Sequence, residues 1–284
     1  MKLDRNYIKE QLVKIGLRKD DTVLVHSQLL KVGLPEEDVF DLGKYYLDII
    51  LDIIGEKGEL VLPAFTYSYC NKKEFSPLED MSSVSELANS CIRNHIGYRT
   101  QDPLFSYVLV NPRSKEQSFS NVCFDFDNGM AGYLSFRKAK YLMIGDQIFF
   151  TLWHACEQQL QTYNRFMKKF SGIIRLNGIK NQSDVYYYCR RFCDNTLRNV
   201  QELKRIIFEP LIAEGKLKQK CLGNSHLFFC SDLNVMLDSY KQSLKRDLFE
   251  LLKGPALSKN ELIKLDPEKE EIDIKRVKHK IIKL

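Results

Sequence analysis

No stretch of this 284-residue chain approaches the about 18 consecutive apolar residues that mark a membrane-spanning helix. The longest apolar run, 45–54, is broken by Asp48 and Asp52, so membrane insertion is not expected. No leader is legible either. The opening MKLDRNYIKEQLVKIGL carries acidic residues and reads as an amphipathic helix, which points to a cytoplasmic protein. The eight cysteines are scattered, with no C-x-x-C pair and no histidine at ligand spacing, so neither a zinc site nor a small disulfide framework is expected. They read as buried free thiols. G-x-G-x-x-G, G-x-x-x-x-G-K-[ST] and G-x-S-x-G are all missing, which removes the Rossmann, P-loop and serine-hydrolase readings. A strong charge of one sign is missing too. Forty-three Lys and Arg against 37 Asp and Glu leave +6, too mild for a nucleic-acid groove but compatible with a polyanionic small ligand. The basic stretch 186–220 with Tyr186, Tyr187 and Tyr188 fits a solvated helical face with core-facing tyrosine better than a nucleic-acid surface.

What is present supports an ordinary core, with 44% apolar residues in a chain long enough for one large domain. Apolar spacing predicts a helix over 4–17 and another over 36–54, closed by Gly55. Strand signals fall at 22–26, 58–63, 105–110, 140–145 and 226–230. A Ser83-x-x-Glu86 capping pattern starts a helix over 82–94, and further helices are expected over 151–166, 194–214 and 231–252. Alternating helix and strand at the start implies a three-layer α/β/α fold with a mostly parallel central sheet. The expected organisation is a single domain over 1–253, its 186–253 part helical, followed by a charged, loosely ordered tail over 254–284. There is no internal repeat.

Parallel α/β proteins place their sites at strand ends. The first polar strand end is Val25-His26-Ser27-Gln28-Leu29-Leu30-Lys31-Val32-Gly33, where a hydroxyl and free backbone N–H groups could hold a phosphate or amide. Ser27 equally fits a plain turn cap, and His26 a satisfied core histidine. The second is Leu62-Pro63-Ala64-Phe65-Thr66-Tyr67, either the wall of a narrow apolar channel or an ordinary strand-to-loop transition. In the third, Gly145 ends a strand, Asp146 follows, and Thr151 can cap a helix carrying His154 and Glu157. Three residues apart, those two share a helical face, and a histidine oriented by a carboxylate is a general base for neutral pH. A surface ion pair is the competing reading. Asp102, held extended before Pro103, and Ser106 add a carboxylate and a hydroxyl in 99–106.

In order and spacing these pieces resemble the aminoglycoside 3-N-acetyltransferase family. Val25-His26-Ser27 through Gly33 is similar to its V-H-S-S-L-x-x-x-G, and Gly58 through Thr66 to its G-T-L-V-M-P-T-F-T. Arg99 through Ser106 resembles R-S-x-H-P-x-x-S, and Leu142 through Gly145 with Thr151-x-x-His154-x-x-Glu157 matches L-I-G…T-x-x-H-x-x-E. Residues 211–229 resemble a later E-G-K…L-G segment, so the likeness covers all but roughly the last thirty residues.

The resemblance implies a fold distinct from the common GNAT acetyltransferases, with acetyl-CoA as co-substrate. By position, His26, Ser27, Gln28, Leu29, Lys31 and Val32 would border it, with Phe65, Thr66 and Ser106 nearby. His154 would be the base, Glu157 its orienting partner, Asp102 a third candidate catalytic group, and Tyr67, Asp146 and Thr151 would meet the acceptor amine. Two departures bear on the acceptor: Asp102 stands where the family has His, and Gln28 where it has a second Ser. Loop 67–80 is not strongly acidic, whereas Arg190, Arg191, Arg198, Lys204 and Arg205 make the later region basic. An anionic acceptor, such as a nucleotide-linked amino sugar for surface-polysaccharide biosynthesis, is therefore expected over a polycationic aminoglycoside. An aminoglycoside enzyme or an inactive CoA-binding relative are the alternatives. The exact amine, acyl chain length and oligomeric state stay open, a homodimer among the options.

Overall fold

The protein is represented by a computed structural model that describes residues 3–112, 118–267, 271–273, 277 and 281–283. Helix α1 (Arg5–Ile15) is capped by Asp4 and buries Ile8, Leu12 and Ile15 on one face. Strand β1 (Thr22–Ser27), helix α2 (Leu29–Val32), helix α3 (Leu42–Ile54) and strand β2 (Glu59–Pro63) follow. Helix α3 starts later than its apolar stripe suggests because the Asp41 side chain accepts from the Lys44 N–H at 2.8 Å and fixes the first turn there.

Helix α4 (Glu86–Arg93), strands β3 (Tyr98–Arg99), β4 (Tyr107–Val110) and β5 (Ser118–Ser120), helix α5 (Met130–Phe136), strand β6 (Lys140–Ile144) and helix α6 (Trp153–Gln159) come next. The cap of α4 is Ser85, not Ser83. Ser83 donates its hydroxyl to the Phe65 carbonyl at 3.0 Å, while Ser85 Oγ accepts from Ala88 N at 3.2 Å. Helix α6 is half the expected length, since a turn with Gln161 at φ 49° ends it ahead of a long hairpin.

That hairpin, β7 (Arg165–Leu176) and β8 (Ile179–Arg190), overlaps the end of the helix expected over 151–166 and the start of the helical part expected from 186. Its turn is Asn177-Gly178, both residues at positive φ (49° and 79°), the two-residue connection that Asn-Gly favours. Beyond it lie helix α7 (Val200–Leu203), a π-helical turn over Lys204–Phe208, helix α8 (Glu209–Ala213), strands β9 (Leu217–Leu222) and β10 (Ser225–Cys230) and helix α9 (Asn234–Arg246). The 186–253 part is thus mixed, not helical.

The main sheet runs β3-β4-β2-β1-β6-β10-β9. Only β2-β1-β6 pair in parallel, and both flanks are antiparallel, so the expected mostly parallel sheet is a mixed one with a parallel centre. The two-residue link between β9 and β10 permits nothing else. The three-layer α/β/α arrangement holds. Val23, Val25, Leu60, Leu62, Leu142 and Ile144 face α1, α3 and α4, whereas Leu24, Val61, Tyr141 and Met143 face α5, α6 and α9.

The tail packs against the body where it is described, contrary to the loosely ordered expectation. Helix α10 (Lys259–Leu265) has a capping box between Ser258 and Glu261 and buries Leu262 beside Phe249 and Leu252. Glu271 pairs with the buried Arg191 at 2.7 Å, the Ile272 N–H donates to the Met167 carbonyl at 2.9 Å, and β11 (Ile281–Lys283) pairs with β5. All eight cysteines are free, but Cys70 and Cys221 are exposed, against the expectation of burial. Among the described residues no helix is long and apolar enough to cross a membrane, and no cluster of His, Cys, Asp or Glu is placed to hold a metal ion.

Gly43 lets α3 and α4 close on each other. A Cβ there would overlap the Glu86 carbonyl and come within 2.9 Å of Ser90 Cβ. An exposed helical Gly→Ala change normally stabilises by about 1 kcal/mol. Gly43→Ala is expected to destabilise by about 1–3 kcal/mol, read as a lower urea midpoint.

Candidate active site

The carboxyl ends of β1 and β6 are neighbours in the sheet, and a cavity opens beside them on each face. On the α3–α4 face a space of about 750 Å³ is lined by Ser27, Gln28, Leu29, Leu30 and Lys31, closed by Phe40, Asp41, Leu42, Glu86 and Arg93. Four residues expected to border a co-substrate, Ser27, Gln28, Leu29 and Lys31, therefore share one wall. Ser27 Oγ is buried there with no hydrogen-bond partner among the described residues, while the His26 ring points to the other face of β1, beside Tyr141 and Thr151. Gln28 links the two faces, its Oε1 accepting from the Asp146 N–H at 3.1 Å.

On the other face a cavity of about 600 Å³ is bounded by Asp146, Thr151, His154, Arg198 and Lys204 among apolar and aromatic side chains, with Trp153, Phe208 and Phe228 prominent. Helix α6 brings His154 and Glu157 together: the ring Nδ1 lies 2.8 Å from Glu157 Oε2. A carboxylate only accepts, so Nδ1 carries the proton and Nε2 keeps its lone pair. Glu157 itself is buried (2% exposed) and held from several elements. Arg165 Nε of β7 lies 2.9 Å from Oε2, Arg198 Nη2 3.1 Å from Oε1, and the Tyr240 hydroxyl of α9 donates to Oε1 at 3.0 Å. Burial alone would raise its pKa, but the two guanidiniums outweigh it and hold the carboxyl well below the usual range. For His154 burial dominates, the charge of Arg165 adds to it, and Glu157 offsets only part, so the imidazole is pushed down to about 4. At neutral pH it is an uncharged base with one oriented nitrogen, the requirement for taking a proton from an amine.

Aromatic rings wall the imidazole. Phe124 packs against the His154 ring at 5.1 Å and Tyr187 of β8 at 6.2 Å, and behind them stand Phe105, Phe65 and Tyr67. Tyr67 and Phe124 hold positive φ, 55° and 58°, a strained backbone for aromatic residues.

The remaining expected residues are placed apart from the two cavities. Phe65 is a buried member of the aromatic wall, Thr66 donates to the Pro103 carbonyl at 3.0 Å, and Val32 is fully buried in the core. Ser106 is fully buried, donating to the Ala64 carbonyl at 2.7 Å and accepting from Arg99 at 3.0 Å, so it does not face a co-substrate space. His26 is buried, with Nε2 3.2 Å from Thr151 Oγ1, and burial lowers its pKa to about 3. That contact uses the Thr151 hydroxyl, which does not cap α6. Asp102 accepts from the Leu104 and Phe105 N–H groups at 2.8 and 3.0 Å and lines a separate recess of about 40 Å³ behind Phe124.

Arg165, Tyr187 and Tyr240 were not singled out for this site. Arg165 and Tyr187 sit on the hairpin whose sequence signal is Asn177-Gly178; nothing local marks Tyr240. The basic stretch also changes meaning. Arg191 is fully buried against Phe166 and Glu271, Arg190 is tied to the carbonyls of Arg191 and Cys193, and Arg205 pairs with Glu202. Arg198 and Lys204 are the two of those five that line the cavity.

Neither a protein-family model nor a curated protein matches the sequence. Solved structures do match in shape. AAC-IIIb in binary complex with CoASH superposes with TM-score 0.71 at 15% identity, covering 90% of this chain and 100% of that one. Aminoglycoside acetyltransferase AAC(3)-Xa gives 0.67 at 15% identity, over 87% and 94% of the two chains. The YokD protein from Bacillus subtilis gives 0.66 at 15%, over 87% and 95%. The chain has the aminoglycoside acetyltransferase fold.

Two outcomes follow from the charges around α6. Glu157→Gln strands two guanidiniums beside a neutral amide, and urea denaturation should show a loss of about 3–5 kcal/mol. His154 and His26 titrate near 6.5 when unfolded but at about 4 and about 3 when folded, so the unfolded chain binds more protons below pH 6.5. Their contribution is therefore constant above that pH and declines as pH falls through 6.5 toward 4. Urea midpoints should drop between about pH 7 and 5, and less so in His154→Gln.

Proposed function

We propose that the protein is an acetyl-CoA-dependent N-acetyltransferase acting on a sugar amine. The observation that carries this reading is the uncharged His154, oriented by a buried Glu157, beside the joined ends of β1 and β6. Support comes also from the fold, shared with a protein whose structure was determined with CoASH.

The co-substrate would occupy the space along Ser27–Lys31. The groups there suit it: the buried Ser27 hydroxyl, without a partner among the described residues, stands beside apolar Leu29 and Leu30, with the exposed Lys31 ammonium available for phosphate. Bound acetyl-CoA supplies an activated acyl carbon, which the acceptor amine attacks as the carbon–sulfur bond breaks. His154 Nε2 takes the proton that the nitrogen loses, while Glu157 keeps Nδ1–H in place throughout. Imidazolium formed next to two guanidiniums is a strong acid and gives that proton up to the departing thiolate. The aromatic wall of Phe124 and Tyr187 keeps water from the same spot. No covalent enzyme intermediate is needed, and the cysteines have no step in it.

For the acceptor, the lining of the cavity beside His154 favours an amino sugar linked to a nucleotide. Phe149, Trp153, Phe208 and Phe228 offer aromatic surface to a base, and Arg198 and Lys204 offer positive charge to phosphate. Lys204 and Phe208 bound a π-helical turn, a distortion that recurs at functional sites. Asp146 is the cavity's one carboxylate and already accepts from the Ser225 hydroxyl at 2.6 Å, which leaves little for a polycationic aminoglycoside. Surface-polysaccharide biosynthesis is the setting that such an acceptor suggests.

A thiol-release assay with acetyl-CoA tests both levels, offering nucleotide-linked amino sugars beside aminoglycosides. Release with an amino sugar, reduced about 10²–10⁴-fold in His154→Ala while CoA still protects that variant against heat, is the expected result. Release with aminoglycosides alone would sink the acceptor reading. CoA protection without release from either class would favour a non-catalytic CoA-binding protein.

A further inference from the structure

The carboxylate that orients His154 is shared among more groups than orientation requires. One donor fixes a tautomer, yet Glu157 has the imidazole on one oxygen, with Arg165 Nε beside the same atom, and Arg198 with Tyr240 on the other. Arg165 is itself anchored, its Nη1 donating to the Tyr188 carbonyl at 2.9 Å, and its side chain is 5% exposed. The Arg198 guanidinium carbon lies 5.5 Å from the ring centres of both Trp153 and Tyr240, and the side chain stays 24% exposed. The charged groups around the imidazole are thus one carboxylate on α6 and two guanidiniums, from β7 and from the loop before α7. Tyr187 of β8 and Tyr240 of α9 add hydroxyls, and the chain's other charges in that cavity are Lys204 and Asp146. Carboxylate plus two guanidiniums is net positive. A lone Glu–His pair would raise the proton affinity of the ring; here burial lowers it first, and the two guanidiniums add to burial and oppose the carboxylate.

We propose that Arg165 and Arg198 are positioning residues that clamp Glu157 from both sides and so set the tautomer and the charge of His154. The proposal deepens the acetyltransferase reading, in which His154 is the base, but it concerns a property of the unliganded protein. With the clamp closed, the ring passes protons on instead of storing them, and none is lost to resting protonation at neutral pH. The two arginines lie outside the T-x-x-H-x-x-E pattern. Arg165 comes from the hairpin and Arg198 from the segment after it, so this control is added to the helix from elsewhere in the chain.

Heteronuclear NMR of the imidazole nitrogens in the ligand-free, full-length protein tests this directly. In the native chain His154 is expected to titrate near pH 4, with the Nδ1–H tautomer above that. Arg198→Gln removes one positive charge from a partly exposed position and should move the midpoint up by about one pH unit, a tenfold gain in proton affinity. Arg198→Lys should restore most of the native value, and Tyr240→Phe, which removes a donor but no charge, should move it less than Arg198→Gln. A native midpoint near the ordinary 6.5, or an Arg198→Gln midpoint unchanged from native, would overturn the clamp. The native measurement stands even if Arg198→Gln does not fold. A shifted midpoint in a protein that acetylates no amine would support the clamp and count against the transferase reading, so the two fail separately.

Discussion

A carboxylate buried to 2% exposure cannot stand alone, and the active end of this fold is arranged around that constraint. Glu157 reaches into the protein from a two-turn helix and must be met by donors from other elements. The hairpin brings Arg165, the loop before α7 brings Arg198, and α9 brings Tyr240. Those partners tie together parts of the chain more than eighty residues apart. They also decide the charge state of His154. The histidine side chain stays 21% exposed, while its partner is locked where water does not compete.

The sheet performs a second task by joining the two cavities. Parallel pairing of β1 with β6 sets their carboxyl ends side by side, and the turns after them diverge to opposite faces. Gln28 spans the junction through the Asp146 amide, and His26 reaches Thr151 in the same layer. A donor held along Ser27–Lys31 and an acceptor held beside His154 would meet at that junction. Close packing makes this geometry stiff: at Gly145, with φ 153°, an added Cβ would lie 2.8 Å from Gln28 Oε1, so a side chain there would push the link apart.

Most of the first half of the chain could be read from its residues. Apolar runs bounded by turn residues located β1, β2 and β6, and i, i+3 spacing put His154 with Glu157 because helix geometry alone brings those positions together. The hairpin is hard to read although Asn177-Gly178 marks its turn, since its strands are amphipathic and rich in Lys, Ser and Tyr and lack the apolar run that signals a buried strand. Arg190, Arg191, Arg198 and Arg205 read as a basic surface because sequence shows charge but not its partner; all four are tied to groups within the chain. Ser106 fits a motif by position, yet in the folded chain its hydroxyl bonds to Arg99 and to Ala64.

By itself the sequence determined the class of the fold, the order of its central elements and the His154–Glu157 pair, because each follows from periodicity or spacing within a few turns of chain. Tertiary structure decided the antiparallel flanks, the packing of the tail, which residues face the cavities, and above all the electrostatics around His154. Those depend on which distant groups arrive within about 4 Å of one another, where charge–charge energies are large and fall with distance in space, not with separation along the chain.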